Sequence, residues 1–290
     1  MGSSFVFWPC FAGVLFLLAG LVSFRKEIAA ARALDKLVAL ASVFVAAPLA
    51  LFAAEHIAGP RVLMSVVPEW MPARLFWAYF VGFALLAASL SLTFKKYVRW
   101  STLLLAIMFF VFVASIHLPN VVTHSTERAF WTVLLRDFGF ATGILTFAAS
   151  LREKATLTSI GRFCFAISVI FFGVEYLLHP LTASGVPLAK LTPAWVPFPP
   201  LWGYLTGVIL LTSGTALLLG KKSRQAATAI GLLMTVATVV LYFPLLLMAS
   251  GTSQIVEGFN YVADTLLFGG VALLVASAMP SDGFAKTEPR

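Results

Sequence analysis

The chain has 290 residues, of which 60% are hydrophobic and only 11% are charged. A soluble domain usually carries about 25% charged residues, so this composition excludes a soluble globular protein. Two cysteines also exclude a disulfide-stabilised scaffold. The composition instead indicates a polytopic membrane protein, because each spanning helix needs about 20 mostly apolar residues.

The net charge of +8 does not point to nucleic acid. The basic residues lie in short connections between apolar segments, where they set the orientation of a membrane protein. We therefore predict no nucleic-acid partner, and we expect the lipid bilayer to surround most of the chain.

Nine apolar segments predict an all-α membrane helix bundle. Backbone polar groups need partners within the segment in lipid, which favours helices, and the segments lack the alternation of barrel strands. The predicted spans are residues 5–24, 37–57, 74–94, 98–118, 129–150, 158–178, 201–220, 225–248 and 257–279.

The distribution of Lys and Arg predicts the orientation of this bundle. Fifteen of the 20 basic residues fall on one side of the predicted membrane, and four fall on the other. The basic side of a membrane protein faces the cytoplasm. We therefore predict a multi-pass protein of the bacterial inner membrane, with its N-terminus outside and its C-terminus in the cytoplasm.

A sequence repeat divides the bundle. Residues 68–82 and 193–207 are identical at six of 15 positions, and each segment contains a Pro-x-Trp-x-Pro motif. Each repeat holds four spans, and an even number of spans predicts parallel repeats. The predicted organisation is an N-terminal transmembrane helix (1–30), two four-helix units (31–155 and 156–280) and a polar cytoplasmic tail (281–290).

Both units share a further pattern. An acidic residue near the end of the first helix is followed by the Pro/Trp connection, a second helix with Tyr and Gly, and a short basic turn. These features are Glu55, 68–72, 79–82 and 95–96 in the first unit, and Glu175, 193–197, 204–207 and 221–222 in the second. The pattern resembles the DoxX-like family of four-span membrane proteins, as a tandem duplication over about residues 37–279.

The resemblance implies a membrane subunit linked to redox chemistry, including quinone-reducing sulfur oxidation. It suggests quinone as a cofactor or ligand handled near the outer face, together with a membrane or periplasmic redox partner protein. A proton-coupled small-molecule transporter, an enzyme acting on a lipid and a non-catalytic scaffold remain open alternatives. No residue spacing predicts a metal site.

Four acidic residues are candidates for catalysis, namely Glu55, Asp137, Glu175 and Asp264. A charge inside a span costs about 2.5–3.5 kcal/mol, so such a group must be paired, protonated or in contact with water. Asp137 and Asp264 lie about eight residues into their predicted spans, and a structural hydrogen bond between helices explains them equally well. We expect Arg136 to reach Glu55 or Asp264 on another helix, because adjacent helical positions do not face each other.

The candidate ligand-binding residues are polar or aromatic side chains, most of them predicted to lie near the outer face. A carboxylate beside an imidazole can act as an acid/base pair, and aromatic pairs can line a cavity for a flat apolar ligand. Solvated helix ends and an interfacial aromatic belt account for the same residues. The set is His56, Trp70, Trp77, Tyr79, His117, Arg136, His179, Trp195, Trp202 and Tyr204.

Overall fold

The computed structural model of the protein describes residues 3–186 and 190–280. Across these residues the protein is 80% helical and contains no β-strand. Nine helices in the described part are long and apolar enough to cross a membrane. The predicted all-α, nine-span class is therefore confirmed, whereas the predicted tail at 281–290 lies outside the described residues.

We label the nine spanning helices α1 to α9 in chain order. Their bounds are Phe5–Ser23 (α1), Ala41–Ala58 (α2), Arg74–Phe94 (α3), Val98–Thr123 (α4), Arg128–Ser150 (α5), Ala155–Leu178 (α6), Pro199–Leu219 (α7), Ser223–Leu247 (α8) and Thr252–Ala278 (α9). Shorter helices occupy the connections at Arg25–Ala30, Asp35–Ala39 and Pro60–Leu63.

Three helix ends differ from the predicted ones by four or five residues. Helix α2 begins at Ala41 rather than 37, α4 ends at Thr123 rather than 118, and α9 begins at Thr252 rather than 257. Hydropathy marks the apolar part of a helix, whereas backbone hydrogen bonds continue through polar ends such as the first turn of α9. Asp264 therefore lies 12 residues after the start of its helix and Asp137 nine after the start of its own, rather than about eight in each.

Helices α2, α5 and α9 form the centre of the bundle. In α2 and α5, 67% of the residues in the apolar window are buried, and in α9 the share is 72%, against 22% in α1 and α4. Helix α9 packs against α2, α5 and α8, and α5 packs against α4, α6 and α9. Polar side chains in the buried parts of these three helices are thus shielded from lipid and water.

The other helices surround this centre. Helix α3 lies between α2 and α4, α7 lies between α6 and α8, and α1 packs on the outside of α2. Past the end of α1, Glu27 forms an ion pair with Lys95 at the end of α3, with 2.5 Å between Oε1 and Nζ. This hydrogen bond from Lys95 lowers the pKa of the Glu27 carboxyl group.

Several local features recur 125 residues apart. A π-helical turn interrupts α4 at Val113–His117, and another interrupts α8 at Thr238–Tyr242. In both Pro-x-Trp-x-Pro connections the last proline accepts a hydrogen bond from an indole N–H at the start of the next helix, with distances of 3.0 Å for Trp77 and 2.9 Å for Trp202. The motif therefore has the same local role twice, which is to stiffen the entry into a spanning helix.

Candidate functional site

A network of charged side chains joins α4, α5 and α9. The Oδ2 atom of Asp137 lies 2.9 Å from Nε2 of His117, and its Oδ1 atom accepts a hydrogen bond of 3.1 Å from Nε of Arg136. The Nη1 atom of Arg136 donates to Oδ2 of Asp264 at 2.6 Å. We call these four residues the charge network. Their side chains are between 9% and 19% exposed, so the ion pairs are largely desolvated.

The π-helical turn in α4 has a local cause in the sequence. Pro119 has no N–H, so it cannot donate the α-helical hydrogen bond to the carbonyl of Ser115. The preceding turn widens instead, and the N–H of Leu118 bonds to the carbonyl of Val113, five residues earlier. His117 ends this widened turn and lies within hydrogen-bonding distance of α5.

A third carboxyl group lies next to the charge network. Glu55 of α2 is only 5% exposed, and its Oε1 atom accepts a hydrogen bond of 3.2 Å from Nδ2 of Asn260. Asn260 lies four residues before Asp264, on the same face of α9. Asp137 and Asp264 thus share the guanidinium group of Arg136, and Glu55 bonds to the same face of α9 through Asn260.

Of the two partners expected for Arg136 on another helix, the structure shows Asp264. Glu55 bonds to Asn260 instead. The contact between Arg136 and its neighbour Asp137 was not expected. It forms because the long arginine side chain bends back across its own helix. Helical spacing alone does not predict this contact. In the described ranges, no three His, Cys, Asp or Glu side chains converge in a way that could hold a metal ion.

Glu175 and His179 lie apart from the charge network. Glu175 of α6 is an ion-pair partner of Arg128 at the start of α5, and Arg128 also donates to Thr182 at 3.4 Å. His179 follows the end of α6, with its Nε2 atom 4.0 Å from Glu175 and its side chain 49% exposed. The structure thus pairs Glu175 with Arg128, which was not among the predicted site residues although it directly precedes the predicted span 129–150.

The candidate aromatic residues do not enclose the charge network. Trp77 instead lines an apolar groove of about 750 Å³ between α3 and α4. An interfacial aromatic belt, the alternative raised from the sequence, accounts for the exposure of the others. The candidate aromatic residues that are exposed are Trp70, Tyr79, Trp195, Trp202 and Tyr204.

His56 is half-buried near the end of α2, and its Nδ1 atom lies 2.8 Å from the carbonyl oxygen of Phe52. In the other half, Tyr176 and Tyr242 are at most 1% exposed, and neither was among the predicted site residues. Their hydroxyl groups both bond to the carbonyl of Ala183, at 2.6 Å and 3.2 Å. The signal in the sequence is positional, since Tyr176 follows Glu175 directly, as His56 follows Glu55.

A protein-family model described as DoxX matches residues 157–243. The chain therefore contains a DoxX-like region within a membrane protein. The matched region spans most of α6, all of α7 and most of α8. A search of the curated proteins gives no match, and neither does a search of the solved structures.

The spanning helices and the family match together identify the DoxX-like protein as a multi-pass protein of a lipid bilayer. The matched region includes Glu175, Tyr176 and Tyr242. The charge network lies outside it, because His117 and Asp137 precede the matched region and Asp264 follows it.

Proposed function

We propose that this DoxX-like protein is a membrane subunit associated with redox chemistry, which binds a quinone or another apolar small molecule beside the charge network and exchanges protons with it. The observation that carries the proposal is an excess of buried carboxyl groups. Asp137 and Asp264 share one guanidinium group, that of Arg136, and the buried Glu55 bonds through Asn260 to the same face of α9.

Charge balance explains why this arrangement is suited to proton exchange. A buried carboxylate without a partner is costly. Arg136 offsets one negative charge, and His117 offsets a second when it is protonated. The third carboxyl group has to bind a proton or a cation. The cluster therefore holds at least one proton in a buried place, next to an imidazole that can pass it on.

Aromatic side chains border the cluster. The Phe140 ring centroid lies 5.9 Å from the guanidinium carbon of Arg136, and Phe140 packs with Phe109 and Phe268 in the core. Reduction of a quinone to a hydroquinone consumes two electrons and two protons. In the proposal the buried acids and His117 exchange the protons, and a membrane or periplasmic redox partner protein supplies or accepts the electrons.

We further propose the organisation predicted from the sequence, with an N-terminal helix, two parallel four-helix units and a cytoplasmic C-terminus in a bacterial inner membrane. The features that recur 125 residues apart support the two units. The excess of basic residues on one side supports the orientation. The candidate site then lies in the outer half of the bilayer.

A proton-coupled transporter is the second candidate. Arg136 of α5 is bonded to Asp264 of α9, and these helices belong to the two different proposed units. A change in the number of bound protons would therefore act directly on the contact between the units, which is what alternating access requires.

The test is ligand binding by the full chain in lipid nanodiscs. We expect quinone to co-purify in near-stoichiometric amount, as measured by mass spectrometry, and Asp137→Asn to weaken the binding of a short-chain quinone about tenfold or more, as expected for a hydrogen-bonded charged group. The matched control is Asp35→Asn, whose side chain is 60% exposed in an ion pair with Arg224.

Two other outcomes contradict the redox proposal. If the folded wild-type protein binds no quinone but shows proton-driven uptake, and Asp137→Asn abolishes that uptake, the transporter is the better description. If Asp137→Asn and Asp264→Asn both unfold the protein, and the wild type binds no quinone, the charge network serves to hold helices together.

A further inference from the structure

An apolar groove separates α3 from α4. Helix α3 packs closely on α2 but only loosely on α4, and the groove of about 750 Å³ lies in the gap. One end is at Met71, before α3, and the other is at Tyr97, in the turn before α4. Helix α3 has 21 residues, so the groove is about 31 Å long, close to the roughly 30 Å of the bilayer's hydrocarbon core.

The width of this groove limits what can occupy it. Its volume spread over its length gives a mean cross-section of about 24 Å². A helix is about 10 Å wide with its side chains and has a cross-section of about 80 Å², so a helix can rest on the groove but cannot fill it. A single hydrocarbon chain is much narrower and has no backbone polar groups that need partners. The dimensions therefore favour such a chain.

The two ends of the groove differ in polarity. Ser91, Tyr97 and Ser101 line the end at the turn between α3 and α4, which we call the polar end. At the opposite end the lining is apolar apart from Trp77 and Ser115. These two side chains donate to carbonyl groups of the chain, at 3.0 Å and 2.6 Å. The head group of an amphiphile therefore belongs at the polar end.

Positive charge gathers at the polar end. Lys96 and Arg99 are exposed, and each adjoins a residue that lines the groove. The guanidinium carbon of Arg152, just past the end of α5, lies 5.4 Å from the ring centroid of Trp100. Within residues 3–186 and 190–280 no ion pair includes any of these three cations, and Nη2 of Arg152 is buried without a hydrogen-bond partner. Glu153 offsets one charge at most, so the polar end suits an anion.

A lipid with its head group at the polar end reaches about half of the groove. One leaflet accounts for about 15 Å of the hydrocarbon core, which corresponds to about ten residues of α3. An acyl chain that starts at the turn therefore ends near Ala84. Along this half the lining from α3 includes Ala84, Ala87 and Ala88, whose small side chains leave room for the chain.

We propose that the polar end of the groove binds an anionic phospholipid, with its phosphate at Lys96, Arg99 and Arg152 and one acyl chain along the alanine-lined half. The bound chain then fills the gap between α3 and α4, whose own packing is loose. The inference does not depend on the proposed function, because none of the four residues of the charge network lines the groove.

The experiment counts the lipids that stay on the full chain after extraction from nanodiscs with equal amounts of phosphatidylglycerol and phosphatidylcholine of the same acyl chains. Native mass spectrometry identifies each retained lipid, and we expect one phosphatidylglycerol per chain. Lys96→Gln with Arg99→Gln should lower the preference for phosphatidylglycerol about tenfold or more, since each cation near the membrane surface contributes about fivefold. The matched control, Lys221→Gln with Lys222→Gln, removes two exposed cations from the turn between α7 and α8 and should leave the preference unchanged.

Two further substitutions test where the acyl chain lies. Ala87→Phe places a ring in the alanine-lined half and should remove the retained phosphatidylglycerol. Val111→Phe places the same ring in the opposite half, about 20 Å from the start of α4, and should leave the lipid in place. Thermal unfolding of each variant separates loss of lipid from loss of folding.

Equal retention of the two lipids by the wild type would overturn the inference, because the groove would then hold bulk lipid only. An equal loss of preference in the two double variants would do the same, as would loss of lipid in Val111→Phe but not in Ala87→Phe. A quinone or a second copy of the chain retained in place of phosphatidylglycerol would identify another occupant and would also contradict it. If Ala87→Phe does not fold, the exposed pair Lys96 and Arg99 decides the outcome.

Discussion

Arg136 is the residue that connects the charge network. Its guanidinium group donates to Asp137 on its own helix and to Asp264 on α9, so one side chain joins two central helices. Neither carboxylate has another cation within salt-bridge distance in the described chain, apart from His117 when it is protonated. Stability should therefore depend on this arginine far more than on an arginine at the surface.

Arg136→Met should lower the free energy of unfolding by about 3–5 kcal/mol, because it leaves two buried carboxylates without their cation. Adding Asp264→Asn should recover part of this loss, since one of the uncompensated charges is then removed. The measurement is thermal or denaturant unfolding in nanodiscs. Arg61→Met, at an exposed position of the connection between α2 and α3, is the control and should change little. Equal stability of the Arg136→Met and Arg61→Met variants would contradict the argument.

At the scale of elements, close contact between α9 and α2 holds the centre together. Gly270 lies directly against the backbone of α2, and a Cβ atom placed there would lie 2.8 Å from the carbonyl carbon of Phe44 and 2.9 Å from the nitrogen of Val45. Backbone atoms cannot move aside as a flexible side chain can. The absence of a side chain at this glycine therefore sets the distance between the two helices.

Gly270→Ala should destabilise the protein by about 1–3 kcal/mol, because the added methyl group forces α9 away from α2. Gly13→Ala is the matched control, since its Cβ would lie at an ordinary 3.4 Å from Leu51 in the contact between α1 and α2. The midpoint of thermal unfolding measures both. A larger shift for Gly13→Ala than for Gly270→Ala would show that the close approach is not limiting.

The sequence predicted the number of elements well and their ends less well. The polar residues at the start of α9 and the end of α4 continue their helices beyond the apolar segments. The π-helical turns were not predicted, although Pro119 and Pro244 lie two positions beyond them and cause the change in hydrogen bonding. The sequence places a histidine in one half and a tyrosine in the other two positions before these prolines, but the widened turn that each residue ends is seen only in the folded helices.

At the scale of the whole molecule, the basic residues and the buried polar side chains are both distributed unevenly. The basic residues lie mainly on one side, which orients the proposed arrangement in the membrane. The two halves also differ inside, because the charge network borders the first half and residues 182–186 fill the second.

The proposed orientation predicts the labelling of engineered cysteines. Ser65→Cys lies in the outer connection and should react with a membrane-impermeant maleimide in intact spheroplasts. Lys221→Cys lies at an exposed turn of the cytoplasmic side and should react only after permeabilisation. Cys10 and Cys164 are replaced by serine beforehand. The reverse labelling pattern would place the N-terminus in the cytoplasm.

By itself the sequence determined the membrane class, the all-α fold and the nine spans, because hydropathy is a property that each segment carries locally. It also marked Asp137 and Asp264 as groups that need partners. Only the tertiary structure decided those partners, since Arg136 and Asp264 are separated by 128 positions and Glu55 and Asn260 by 205. Such contacts depend on how each helix is rotated and which helix it packs against, and packing of small and large side chains across the whole bundle determines both.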